Sequence, residues 1–112
     1  MQTVKIKDEF SDILINRNKL QGDGKFTAQD FRKKFLKDFE SKQAWENPNE
    51  EIEFDFSGVR KISPSFANEA FAHFLQFTKK SNFYKKIKFS NMSKVQELII
   101  NEELTSAEKD RC

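Results

Sequence analysis

Residues 51–56 read E-I-E-F-D-F, and their strict alternation of acidic and apolar side chains restricts the fold more than any other pattern in the chain. Successive side chains of a β-strand point to opposite faces of the sheet, so each set occupies one face. The apolar set is Ile52, Phe54 and Phe56, and the acidic set is Glu51, Glu53 and Asp55. Strands that are covered on both faces are apolar throughout. The alternation therefore predicts a sheet with one face in water and every helix on the other face.

Three other segments have the character of short strands. Val4 and Ile6 alternate with lysines, residues 12–16 carry three successive apolar residues, and Ile87 and Phe89 alternate with lysines in residues 85–89. Between the first two of these strands, a turn over residues 8–11 is expected. Opposite charges should meet across the sheet if the acidic strand lies between the two basic ones.

Three helices are predicted from their caps and apolar stripes. Thr27 and Asp30 begin the first, whose stripe comprises Ala28, Phe31, Phe35 and Phe39 before the helix fades at residues 42–45. Ser63 and Pro64 begin the second, since serine caps helices and proline suits the first helical position. Its broad apolar face comprises Phe66, Ala67, Ala70, Phe71, Phe74, Leu75, Phe77 and Thr78. Ser93 and Gln96 form a capping box for the third, with Val95, Leu98 and Ile99 as its expected core face.

The element order is thus β-β-α-β-α-β-α. Alternating strands and helices imply right-handed crossovers. We expect an α/β fold with a small mixed, mostly parallel sheet of about four strands and helices packed on one face. Residues 1–112 form one domain of ordinary size, with a frayed tail at residues 105–112.

Composition excludes several functional classes. Charged residues make up 34% of the chain but leave a net charge of only +2, which argues against a dedicated nucleic-acid-binding protein. No apolar run is long enough to span a membrane. The lone Cys112 suits a reducing compartment, and we expect a cytoplasmic protein. A cluster of five lysines leaves a nucleic-acid accessory role as an open alternative; they are Lys79, Lys80, Lys85, Lys86 and Lys88.

The chain lacks the residue combinations that common catalytic sites require. His73 is the single histidine, and its neighbour at helical spacing, Glu69, is expected to form a surface ion pair with it. No metal, cofactor or catalytic residue is predicted, and the chain is not expected to be an enzyme. The loop Gly22-Asp23-Gly24 is too short for a nucleotide-binding P-loop. Together with helix N-termini it still offers an alternative function, the binding of a small anion or nucleotide.

Residues 55–71, D-F-S-G-V-R-K-I-S-P-S-F-A-N-E-A-F, carry a family resemblance. The segment is similar to the STAS domain, the module of sulphate transporters and anti-sigma factor antagonists. Asp55, Ser57 and Val59 match its strand end. Ser63, Pro64, Ser65 and Phe66 occupy the positions of its D-S/T-S-G motif, so the motif's Asp and Gly are absent here. The sequence S-F-A-N-E-A-F resembles bacterial STAS-like domains of unassigned function more closely than it resembles the antagonists.

The resemblance implies a β-α superhelix with helices on one side and a role in partner switching. In the antagonists, an anti-sigma factor with kinase activity phosphorylates the serine at the position of Ser65. Ser65 is therefore a candidate phospho-acceptor, and a kinase of that type a candidate partner. The candidate docking residues are Ser63, Ser65, Phe66, Asn68 and Glu69. The favoured alternative is that Ser63 and Ser65 serve only to start the helix. We expect a non-catalytic, regulatory protein-interaction domain.

Overall fold

The computed structural model describes residues 2–16, 26–46 and 51–110, and within them five parallel-paired strands form two sheets. The strands are β1 (Gln2–Lys5), β2 (Ile13–Leu14), β3 (Ile52–Asp55), β4 (Lys61–Ile62) and β5 (Ile87–Ser90). The main sheet has the order β1-β3-β5, and β2 pairs with β4. The predicted α/β architecture with a parallel sheet is confirmed. Its single four-stranded sheet is corrected to three strands plus two, because β2 pairs with β4, a two-residue strand too short to predict.

Six α-helices and two 3-10 segments complete the described chain. The helices are α1 (Ile6–Glu9), α2 (Ala28–Phe35), α3 (Lys42–Glu46), α4 (Pro64–Ala70), α5 (Lys80–Lys86) and α6 (Lys94–Lys109). The 3-10 segments are Lys37–Phe39 and Ala72–Gln76. Helix α1 takes the place of the predicted turn at residues 8–11. The predicted loops at residues 18–25 and 47–49 lie outside the described residues.

The main sheet has the one-sided character that the alternation predicts. Val4 and Phe54 face each other in register and are fully buried, whereas on the opposite face Lys5 lies beside Asp55. Glu53 is partly exposed and lies beside the exposed Lys88 of β5. The acidic strand thus lies between two basic ones, as predicted. Hydrogen bonds from the Asn91 side chain and from Ser57 lower the pKa of Asp55 below its ordinary value of 3.8.

The core consists largely of phenylalanine rings packed edge to face. Phe31 lies at its centre, with its ring centroid 5.1 Å from that of Phe54 and 5.5 Å from that of Phe71. Phe71 and Phe74 are both completely buried, as their helical spacing predicted. Edge-to-face pairs of this kind are stabilising beyond the area that they bury, so the rings hold α2 and α4 against the sheet.

The first two predicted helices are shorter than their apolar stripes suggested. Helix α2 begins at Thr27, whose Oγ1 accepts a hydrogen bond from the Asp30 backbone N–H, but it ends at Phe35. Helix α4 ends at Ala70 and is followed by a 3-10 segment. Tighter 3-10 winding keeps the following apolar residues buried, so periodicity alone did not reveal the break.

Helix α5 was not predicted, and it changes the role of the lysine cluster. Residues 85–86, assigned to a strand from sequence, end this helix, and the strand begins at Ile87. Lys86 is buried, and the Nζ of Lys80 donates to the Thr105 hydroxyl at 3.0 Å. The five lysines therefore do not form one continuous exposed patch.

The predicted core face of α6 is wrong. Val95 is 66% exposed and Leu98 57% exposed, and Ile99 is only partly buried. The buried residues are Gln96, Ile100 and Leu104. Gln96 takes a core position because its Nε2 donates to the Val59 carbonyl at 2.9 Å. This contact fixes α6 in a rotation that differs from the one in which its predicted apolar face would be buried.

The capping box of Ser93 and Gln96 is present, with both reciprocal hydrogen bonds. The helix continues to Lys109, beyond the point after Leu104 where fraying was expected. Glu108 holds this last turn, because its Oε2 accepts a hydrogen bond from the Lys80 backbone N–H at 2.8 Å.

Candidate docking surface at the start of helix α4

Ser63 joins the start of α4 to the end of β2. Its Oγ accepts a hydrogen bond from the Phe66 backbone N–H at 3.1 Å and donates one to the Ile15 carbonyl at 3.0 Å. Pro64 occupies the first helical turn, where its missing N–H has no consequence. The predicted cap is confirmed, and both hydrogen-bonding functions of the Ser63 hydroxyl are used within the chain.

Ser65 differs from Ser63 in having no such structural role. It lies one residue beyond Pro64, in the first turn of α4, and is partly exposed. Among the described residues, no hydrogen-bond partner is found for its hydroxyl. Ser65 is therefore a first-turn residue rather than a cap, and its side chain can be reached from solvent.

Two exposed apolar side chains lie near this helix start. Ile15, whose carbonyl holds Ser63, is 42% exposed, and Phe26 is 51% exposed. The Phe26 ring packs against Phe10 at 5.5 Å, and Phe10 in turn packs against Phe66 at 6.4 Å. We call Ile15, Phe26, Ser63 and Ser65 the α4-start surface. It combines exposed apolar side chains with hydroxyl groups.

The other three candidate docking residues have different environments. Phe66 is completely buried against Phe31, so its ring belongs to the core and not to the surface. Asn68 is partly exposed and lines a cavity of about 170 Å³ between α4 and α6. Glu69 is also partly exposed, and its carboxylate is bound to Arg32. Asn68 and Glu69 lie one turn along the helix face that begins with Ser65.

A cluster of four ionisable side chains connects α2 to the far end of α4. Arg32 contacts Glu69 through Nη2 at 2.6 Å and Glu40 through Nη1 at 2.9 Å. His73 contacts Glu40 through Nε2 at 2.5 Å. The predicted pair between Glu69 and His73 is therefore replaced by these two partners. Nothing in the sequence indicates which carboxylates Arg32 meets 8 and 37 residues away.

The ion pairs of this cluster join α2 to α4 and to the segment that follows α4. The Arg32 side chain is 16% exposed and lies between two carboxylates, so its charge is neutralised within the cluster. In the described part of the chain, no group of three or more His, Cys, Asp or Glu residues could hold a metal ion. The Gly22-Asp23-Gly24 loop of the anion-binding alternative lies outside the described residues. No helix in the described ranges is long and apolar enough to cross a membrane.

Comparison with known proteins identifies a family. The model of a STAS-like domain of unknown function (DUF4325) matches residues 27–97, which include the whole of α4 and the sheet strands β3 to β5. No curated protein and no solved structure matches the chain.

Proposed function

This chain belongs to the family of STAS-like domains of unknown function, and from that premise we propose that it is a non-catalytic regulatory domain that binds another protein. The binding site is the α4-start surface. The observation that carries the proposal is the exposure of Ile15 and Phe26, at 42% and 51%, beside the residues that flank Ser65. Ile15 is hydrogen-bonded to Ser63, and Phe26 contacts Phe66 through Phe10. Apolar side chains exposed beside accessible polar groups are typical of protein-binding sites. The single Cys112 favours a cytoplasmic setting for this interaction.

The first turn of α4 gives this surface the chemistry of a switch. Phosphorylation of Ser65 would add about −1.5 to −2 charges and three acceptor oxygens near the apolar side chains. The positive end of a helix favours negative charge, so the modification is compatible with the fold. A partner that buries Phe26 would meet a hydrated dianion instead of a hydroxyl, and its binding would weaken. The proposed partner is a protein of the kinase-bearing anti-sigma factor type, which would both modify Ser65 and bind its unmodified form.

The docking surface is tested by affinity capture from native cytoplasm with matched variants. Phe26 has a φ of 53°, a conformation that asparagine adopts more readily than most residues. Phe26→Asn therefore removes the ring with little strain on the backbone. We expect Phe26→Asn to capture at least tenfold less of each protein that the unmodified chain captures. This is the size of effect seen when an interface hot spot is removed.

Leu98→Gln is the control for that experiment, because Leu98 is equally exposed but lies on α6. Apart from copies of the same chain, its captured proteins should match those of the unmodified chain. Equal loss with both variants, or no loss with Phe26→Asn, would contradict a binding site at the α4-start surface.

The switch is tested by Ser65→Asp against Ser81→Asp. Ser81 occupies the same second helical position in α5 and is exposed, so both substitutions add a charge to a helix start. The free energy of unfolding of both variants should lie within about 0.5 kcal/mol of that of the unmodified chain, as is usual for surface positions. Only Ser65→Asp should lose the captured partner. If Ser65→Asp destabilises the domain and leaves capture unchanged, Ser65 is a structural residue and the switch fails.

A further inference from the structure

The beginning of α6 presents an apolar face that nothing in the described chain covers. Val95 and Leu98 are 66% and 57% exposed, the highest values among the large hydrophobic residues described. They lie three residues apart, so they are neighbours on one helix face. A shallow groove of about 370 Å³ runs beside them and is lined also by Lys94, Glu97 and Asn101.

The charges on this face are arranged symmetrically about Leu98. Lys94 lies four residues before Leu98 and Glu102 four residues after it, so the three form one ridge of the helix surface. Each charge is displaced about 6 Å along the axis from Leu98. Lys94 and Glu102 are both exposed, and neither forms an ion pair within the described residues.

We infer that this face binds a second copy of the same chain, with two α6 helices antiparallel across a two-fold axis at Leu98. Antiparallel pairing about Leu98 places Leu98 against the partner's Leu98. It also brings Lys94 within reach of the partner's Glu102, and Glu102 within reach of the partner's Lys94. Val95 then packs at the level of the partner's Asn101.

The self-complementary charge pattern favours a second copy over an unrelated protein. An interface with two-fold symmetry uses the same surface on both subunits, so each residue must be complementary to another residue of that surface. A ridge that reads positive, apolar, negative at equal spacing meets this requirement only when it is reversed against itself. The inner face of α6, which buries Ile100 and Leu104, holds the helix in place before association.

The pairing covers one helix face, so we expect a weak dimer that forms towards millimolar concentration. This inference is independent of the proposed function, because the α4-start surface contributes no residue to it. Sedimentation equilibrium of the full chain, over concentrations up to the millimolar range, measures the dimer directly. Leu98→Gln should weaken the dimer about tenfold or more, while the unfolding transition stays unchanged because the side chain is exposed.

Charge reversal distinguishes this geometry from any other contact that involves Leu98. Lys94→Glu and Glu102→Lys should each weaken self-association, because each puts like charges across the two-fold axis. An equimolar mixture of the two variants should associate as well as the unmodified chain, since each mixed pair is complementary. The double variant carrying both reversals should also recover. Lys37→Glu, the same charge change on an exposed residue outside α6, should have no effect.

A chain that is monomeric throughout the concentration range would overturn the inference and leave the face to a different protein. A dimer that is insensitive to Leu98→Gln would overturn it as well. Failure of the mixture to recover would rule out the antiparallel register.

Discussion

Lys86 is a charged residue in a buried position. Only 6% of its surface is exposed, and its Nζ has no hydrogen-bond partner in the described chain. A buried donor left without a partner costs its full desolvation free energy. Lys86 is the last residue of α5 and directly precedes β5, which begins with the fully buried Ile87.

Replacing Lys86 with an apolar residue of similar shape should therefore stabilise the domain. We predict that Lys86→Met raises the free energy of unfolding by about 1–3 kcal/mol, as measured by chemical denaturation. Lys85→Met is the control, because Lys85 is adjacent and exposed and should change stability by no more than about 0.5 kcal/mol. A destabilised Lys86→Met protein would mean that the ammonium has a stabilising partner.

At the scale of elements, the polar contact of Gln96 decides how α6 packs. Its Oε1 accepts from the Ser93 backbone N–H at 2.9 Å, and its Nε2 donates to the Val59 carbonyl. One side chain thus caps the helix and attaches it to the segment between β3 and β4. This double role accounts for a buried glutamine beside an exposed valine.

Removing that side chain should loosen the helix from the sheet. Gln96→Ala leaves the Val59 carbonyl without its donor, and we predict a loss of about 1–3 kcal/mol in the free energy of unfolding. Glu97→Ala, an exposed neighbour in the same turn, should stay within about 0.5 kcal/mol. Thermal or urea unfolding of the two variants side by side checks this. Equal effects would show that helix propensity, not the Val59 contact, is responsible.

Some elements could be predicted from sequence because their signals are local. The alternation at residues 51–56 specified the two faces of β3, and Thr27, Ser63 and Ser93 marked three helix starts at the correct residues. The signals at the helix starts depend on hydrogen bonds that span three residues. Helix α5 lacked them, because Lys79 at its start forms no side-chain cap.

The errors arose where distant contacts override local pattern. Strand β4 exists because Ile62 pairs with Leu14, 48 residues away, and two residues carry too little periodicity to reveal it. Val95 and Leu98 are apolar but exposed, because the hydrogen bond from Gln96 to Val59 places the opposite face of α6 against the core. At the candidate site, the Ser63 cap was predictable. Its link to Ile15 and the exposure of Phe26 depend on how β2 and α2 lie beside α4, which no local pattern specifies.

At the scale of the whole molecule, the two exposed apolar surfaces lie in different parts of the fold, one around the start of α4 and the other on α6. The core and the Arg32 ion pairs hold α2 against α4, which keeps Phe26 near the start of α4. Helix α6 packs on α4 through its inner face and leaves Leu98 outward. The proposed partner site and the proposed dimer face therefore share no residue.

Amide hydrogen exchange on the complex with the captured partner tests the binding surface most directly. The proposed function predicts slower exchange in peptides that cover residues 12–16, 26–31 and 63–69 when the partner is added, and unchanged exchange at residues 94–105. The same protection should be lost with Ser65→Asp at equal concentrations. Protection confined to α6 or to the exposed face of β1, β3 and β5, with the start of α4 unaffected, would contradict it.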